Sequence, residues 1–356
     1  RPCGRPGRTG TGQVTQPIQT MRAAVLVAHG QPLVVTEVPR PVAGPGQILV
    51  RLQACGVCHS DVHIWQGDVV PPEAPSPFVL GHEGVGIVEQ FGDGVTGWAI
   101  GDLAGVPWIH DTCCRCDECI DEMESFCQHQ RAHGLNVPGA FAEYVVADAR
   151  FAVALPDGMD PLATAPIMCA GVTAYGAVHR ARLVAGESCV IFGCGGLGLY
   201  AVQIAARLGV QVTAVDRDPA KLALAAHYGA TRLELADEGF AERLGATDPK
   251  FHAVINFAPT TATWAGMVAA IRPRGRMVAA ALVSEPVPLS QEWLTGTGVT
   301  ITGTSVGTRD EMRQVVAMHA QTPLENELVA IALDGVSEAL AALHEGRARG
   351  RYVIRF

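Results

Sequence analysis

The chain has 356 residues, 48% of them hydrophobic and 17% charged, with a formal net charge of −9. That composition fits a globular chain of about two domains and excludes a disordered one. The acidic balance argues against nucleic-acid or acidic-membrane partners, which need a basic face, and no run of ~18 apolar residues predicts a membrane span.

Residues 1–20 carry Arg1, Arg5 and Arg8, followed by a polar, glycine-rich stretch rather than the apolar core of a secretory signal. They read as a disordered extension or a start-site artefact, with the fold beginning near Met21. A cytoplasmic location is therefore expected. Residues 22–52 alternate apolar and polar types and predict short strands at 24–27, 33–35 and 48–50. More strand follows at 85–88 and through 141–155, with glycines at the turns. The first ~150 residues are thus mostly β.

The pattern changes at Cys189-Val190-Ile191-Phe192, a short buried strand that runs into Gly193-Cys194-Gly195-Gly196-Leu197-Gly198. A helix follows, with Leu197, Ala201, Ile204, Ala205 and Leu208 on one face and Gly209 as its stop. The next strand, 212–215, ends at Asp216, and Pro219 starts a helix running to about Tyr228. Strands at 253–257 and 277–281, a helix near 309–320 and a final strand at 352–354 complete the pattern. Alternating strands and helices predict a parallel sheet with helices on both faces.

A Gly-x-Gly-x-x-Gly triplet is weak by itself in a chain with 40 glycines. Here a strand precedes it, a helix opens on it, and Asp216 ends the next strand. Gly193 would make the tight turn, Gly195 would let the backbone approach a pyrophosphate, and Gly198 would let the helix pack on the sheet. Gly196 and Leu197 complete the loop, and the free N–H groups of the helix start would meet the diphosphate. Asp216 can accept hydrogen bonds from the adenosine ribose hydroxyls and repels a 2′-phosphate, which favours NAD over NADP. Arg217, the next residue, would soften that preference.

Cys113, Cys116, Cys119 and Cys127 supply four thiolates within 15 residues. A tetrahedral all-thiolate set closes a zinc site against water, the mark of a structural site. The bacterial iron–sulfur spacing, which ends in x3-Cys-Pro, is absent. Cys114 is either a bystander or a replacement for Cys113. The other metal-ligand types are dispersed: Cys58 in Cys58-His59-Ser60-Asp61, His82 and Glu83 after Gly81, and Cys169. Spacing alone does not unite them.

Gly56-Val57-Cys58-His59-Ser60-Asp61, Gly81-His82-Glu83, the four-cysteine spacing, Cys169-Ala170-Gly171-Val172-Thr173, the glycine loop and Gly350-Arg351-Tyr352-Val353 occur in one order from Met21 to the C-terminus. Together they resemble the zinc-containing medium-chain alcohol dehydrogenases, most of all the yeast and bacterial type. The resemblance implies an α/β fold: a GroES-like β-rich catalytic domain, split in sequence over 21–170 and 302–356, around a Rossmann NAD-binding domain at 171–301. It implies two Zn2+ per chain and NAD as cofactors. Cys58, His82 and Cys169 would hold the catalytic zinc and leave its fourth position open for a small alcohol, aldehyde or ketone. Zinc there lowers the pKa of an alcohol, so that hydride can pass to the nicotinamide.

By the same resemblance Glu83 lies beside the metal, and Asp61 holds the second ring nitrogen of His82. His59 and Arg351 face the pyrophosphate, Thr173 packs near the nicotinamide, and Lys221 joins the cofactor set. Ser60 accepts the proton, which a relay carries to His63. Family members often have Thr where Ser60 stands. A pocket-narrowing tryptophan of the yeast type aligns with Val69, whereas Trp108 matches a second pocket tryptophan that is kept. A wider pocket for bulkier primary or secondary alcohols is expected. Alternatives on the same scaffold are a polyol dehydrogenase or an aldehyde-preferring reductase; a remoter one is a non-catalytic zinc- and nucleotide-binding structural protein. The resemblance also implies a homotetramer or homodimer paired through the sheet edge near 299–306, where Val299, Ile301 and Val306 are apolar.

Overall fold

The computed structural model describes residues 19–69 and 78–356. Most of the expected N-terminal extension and the proline-rich stretch after Val69 lie outside the described residues. Thr20, placed in the extension from sequence, belongs instead to the strand Thr20–Leu26, because it pairs with Pro39 of the neighbouring strand.

Two sheets organise the molecule. The first is a mixed, mainly antiparallel sheet in which Gln47–Gly56 lies between Gly84–Phe91 and Arg351–Arg355. The last strand thus returns to the first part of the chain, with Val353 opposite Gly56. Leu328–Ile331 runs parallel to Arg351–Arg355 at the edge. A three-stranded sheet of Val34–Pro39, Thr20–Leu26 and Phe78–Val79 stands apart from it.

The second main sheet is fully parallel. Its spatial order is Arg232–Leu235, Gln211–Asp216, Ser188–Phe192, Phe251–Asn256, Ile271–Ala279 and Thr300–Gly303. The chain winds outward one way from Ser188–Phe192, then returns and winds the other way. The order therefore reverses beside the strand that carries the glycine loop, and ligands of open α/β sheets bind at such a reversal. Thr300–Gly303 is one continuous strand of this sheet, so the boundary expected at 301/302 cuts through it. The sheet extends to Gly303.

Local chemistry sets the helix ends that matter here. Asp218 caps the helix Pro219–His227 by accepting the Ala220 N–H at 2.9 Å, with Pro219 in the first turn. Gly209 follows the helix Gly198–Arg207 with φ of 75°, a value glycine adopts freely. Thr308 and Glu311 form a reciprocal capping box at the start of Arg309–Gln321. Ala54, Val85, Met168, Ile191 and Val353 share one buried cluster, so both sheets contribute to a common core. Val299 is buried in the core of the parallel sheet, which corrects its expected place on an outward edge. Ile301 does point outward.

Candidate active site

Three distant segments meet at one buried point. Cys58 precedes the helix His59–Gln66, His82 follows the positive-φ Gly81, and Cys169 precedes the helix Ala170–Arg180. The ligand atoms of Cys58, His82, Glu83 and Cys169 all lie within 4.8 Å of one another, and all four residues are buried. Cys58 Sγ and Cys169 Sγ are 3.9 Å apart. Nε2 of His82 is buried without a hydrogen-bond partner among the described residues. Leaving such a nitrogen unpaired costs about 1–3 kcal/mol. Two cysteine sulfurs and an orphaned imidazole make a soft three-ligand set that fits a tetrahedral zinc with one open position.

Asp61 organises this set. Its Oδ2 accepts the Cys58 N–H at 2.9 Å, and its Oδ1 accepts the Gly81 N–H at 3.1 Å. Oδ1 also stands 3.0 Å from His82 Nδ1, at ion-pair distance but with a bent N–H direction. Burial opposes charge on His82, yet the Asp61 carboxylate and the Cys58 sulfur raise its pKa well above the ordinary value. The contact between the Cys58 and Cys169 sulfurs lowers the pKa of Cys58 and raises that of Cys169. Nη2 of Arg351 bonds both carboxylate oxygens of Glu83. Burial raises the Glu83 pKa, and the Arg351 guanidinium opposes that rise.

The four-cysteine lobe forms a second cluster. Its sulfurs stand 3.4, 3.6, 3.7 and 4.0 Å apart across four edges. A tetrahedron with Zn–S bonds of about 2.3 Å has edges of about 3.8 Å, so the cage fits zinc. Backbone N–H groups of Arg115 and Cys116 hold the Cys113 thiol down at about 6. Cys114 is exposed and turns away, with φ of 55° and its sulfur 3.7 Å from Thr112 Oγ1. Cys113, not Cys114, is the fourth corner.

At the glycine loop, Gly193 has φ of 86°, and a Cβ on Gly198 would stand 1.8 Å from the Gly193 carbonyl oxygen. A Cβ on Gly195 would meet nothing within 4 Å, which leaves an open cradle of backbone for a diphosphate. Asp216 accepts the N–H groups of Cys194 at 2.7 Å and Asp218 at 2.9 Å, so its carboxylate is held at the strand end. Arg217 beside it is exposed, and Lys221 is half-buried on the following helix.

Comparison with known proteins identifies the family. Residues 44–157 match the alcohol dehydrogenase GroES-like domain, and residues 196–321 match the zinc-binding dehydrogenase domain. An alcohol dehydrogenase of Geobacillus stearothermophilus is 36% identical over 340 residues, covering 94% of this chain and 99% of its own. The chain belongs to the zinc-containing medium-chain alcohol dehydrogenases. It is an alcohol oxidoreductase with zinc and NAD as cofactors. Among solved structures, a cobalt- and zinc-bound thermostable alcohol dehydrogenase from Pyrobaculum aerophilum superposes with a TM-score of 0.85 at 29% identity, covering 95% of this chain and all of that one. An acetophenone reductase from Geotrichum candidum in complex with NAD gives a TM-score of 0.83 at 27% identity, covering 95% and 97%.

The other expected site residues of the dehydrogenase have the following neighbours. Ser60 Oγ is 3.9 Å from Cys58 Sγ. His63 Nδ1 is 3.0 Å from Asp68 Oδ2, and its ring stands 5.4 Å from that of His59. Burial lowers the His59 pKa. Thr173 Oγ1 donates to the Cys169 carbonyl at 2.7 Å, so its hydroxyl is already used. Trp108 packs edge-on against His82 with centroids 4.7 Å apart. Val69, after the helix His59–Gln66, is 41% exposed. Arg351, expected at a pyrophosphate, packs its Cδ against Gly196 while its Nη2 is engaged by Glu83. Sequence reading missed Asn326, which donates to the Gly196 carbonyl at 3.1 Å, and Gln130, which holds Trp108. Neither residue type carries a local signal for such contacts.

Proposed function

We propose that Cys58, His82 and Cys169 hold the catalytic zinc, and that Cys113, Cys116, Cys119 and Cys127 hold the structural one. The observation that carries the first assignment is the orphaned, buried Nε2 of His82 close to two cysteine sulfurs. Zinc bound there supplies a Lewis acid that makes the alcohol proton acidic near neutral pH. Buried apolar surroundings and the Glu83–Arg351 pair keep bulk water from the reacting carbon. Ser60 takes the alcohol proton, and His63 passes it to solvent. Asp68 on Nδ1 of His63 holds that ring with Nε2 available. Thr173 backs the nicotinamide, the glycine loop cradles the diphosphate, and Asp216 with Arg217 and Lys221 receives the adenosine end.

Serine at position 60 and valine at position 69 support a substrate bulkier than ethanol, a primary or secondary alcohol oxidised with NAD to an aldehyde or ketone. The edge strand Thr300–Gly303, with Ile301 outward, supports pairing of copies into a dimer or tetramer. A cytoplasmic location belongs to the same reading. No single helix among the described residues is long and apolar enough to cross a membrane. The split catalytic domain is 20–170 with 304–356, around a cofactor domain at 171–303.

The test is zinc content and NAD-linked oxidation in Cys58→Ala. We expect two zincs per wild-type chain and one in the variant, with oxidation abolished and NAD binding retained. Turnover at the wild-type rate would refute the ligand assignment.

A further inference from the structure

Trp108 is gripped from two directions. Its indole Nε1–H donates to Oε1 of Gln130 at 3.0 Å. Its carbonyl accepts the backbone N–H of His133 at 2.9 Å, and the preceding Pro107 carbonyl lies 2.8 Å from Nδ1 of His133. Gln130 is itself pinned to the four-cysteine lobe. Its Nε2 donates to the Ser125 carbonyl at 3.0 Å, and its backbone N–H donates to the carbonyl of Cys127 at 3.1 Å. An indole nitrogen only donates and a carbonyl only accepts, so a single orientation of the Gln130 amide satisfies both. That orientation leaves the indole one ring position.

The ring so held borders the reacting centre. It packs edge-on against His82 and also lines an apolar cavity of about 350 Å3 with Phe151, Met168, Val172 and Met312. Met168 directly precedes Cys169. Trp108 is thus shared between the cavity wall and the surroundings of His82.

We infer that Gln130 is a positioning residue for substrate selection: through its side-chain amide, the four-cysteine lobe fixes the ring of Trp108 and so sets the room left for the substrate's carbon chain. The inference rests on Trp108 bordering the substrate pocket. It gives the distant metal lobe a second task besides holding its own fold. The path runs from Cys127 through Gln130 and Trp108 to His82.

Gln130→Met and Trp108→Phe, made singly and together, test it. The readout is the ratio of kcat/KM for a bulky secondary alcohol to that for ethanol, with zinc content measured in every variant. Gln130→Met is expected to shift the ratio about fivefold, the scale of one net hydrogen bond. In the Trp108→Phe background it should add nothing, because phenylalanine has no N–H to hold. The near-UV circular dichroism of Trp108, taken as wild type minus Trp108→Phe, should weaken in Gln130→Met. Equal shifts in both backgrounds would overturn the inference, since Gln130 would then act by general packing. An unchanged ratio in Gln130→Met beside a shifted one in Trp108→Phe would overturn it while sparing the Trp108 assignment. No shift in Trp108→Phe would remove that assignment and the inference with it.

Discussion

Oδ1 of Asp61 stands 3.0 Å from Nδ1 of His82, while Oδ2 of the same carboxylate accepts the N–H of Cys58. One side chain therefore orients two ligand segments that are 24 positions apart in sequence. Asp61 is also the third residue of the helix His59–Gln66, and its carboxylate closes a capping box with Cys58. The placing of Cys58 beside His82 and the start of this helix thus depend on the same side chain.

Asp61→Asn should separate the two zincs. The amide preserves size but replaces one acceptor oxygen with a donor that faces N–H groups. Loss of such an orienting partner typically lowers metal affinity about 10–100-fold. We expect a chelator to strip one zinc per chain from the variant at a concentration that leaves the wild type intact, with the second zinc equally resistant in both proteins. Equal resistance of both zincs would show that Asp61 does not support the site.

His133 should make the enzyme sensitive to mild acid. Its ring is buried beside the His110 ring, with His110 Nδ1 and His133 Nε2 3.0 Å apart. Burial, and then the neighbouring His110, hold its pKa down at about 3. The folded state therefore keeps the ring neutral while the unfolded chain takes up a proton below about 6.5. Stability from this group is present above about pH 6.5 and is lost as pH falls toward about 3, at about 1.4 kcal/mol per unit. Between about pH 7 and pH 5 the loss is about 2 kcal/mol. Denaturant midpoints across that range should fall more steeply for the wild type than for His133→Gln, even if the variant starts lower. Parallel curves would exclude this ring as the source.

Val69→Trp should narrow the substrate range. Val69 follows the helix His59–Gln66 at an exposed position, where an indole can be added without overpacking a core. A variant that keeps ethanol turnover but loses bulky secondary alcohols is the expected result. An unchanged alcohol profile would place the selectivity elsewhere.

Features confined to one stretch of chain are legible in the residues themselves. The four cysteines span 15 residues, and the tetrahedral cage they form needs only local turns. The strand, glycine loop, helix and Asp216 likewise lie in one supersecondary unit, with Gly193 at positive φ and Gly198 packed against the Gly193 carbonyl. Expectations fail where long-range packing decides. Val299 reads as a surface apolar residue but fills the core of the parallel sheet. Thr20 reads as tail but pairs as strand.

The sequence by itself carried the four-cysteine spacing and the glycine loop between strand and helix, and by resemblance it proposed Cys58, His82 and Cys169 as one ligand set. Only the tertiary structure decided that Cys58, His82 and Cys169 share a buried point, that Arg351 is engaged by Glu83, and that Gln130 holds Trp108. The physical reason is reach. A short segment fixes its own turns, but side chains tens to hundreds of residues apart meet only after two sheets close on a common core, and no local pattern encodes that meeting.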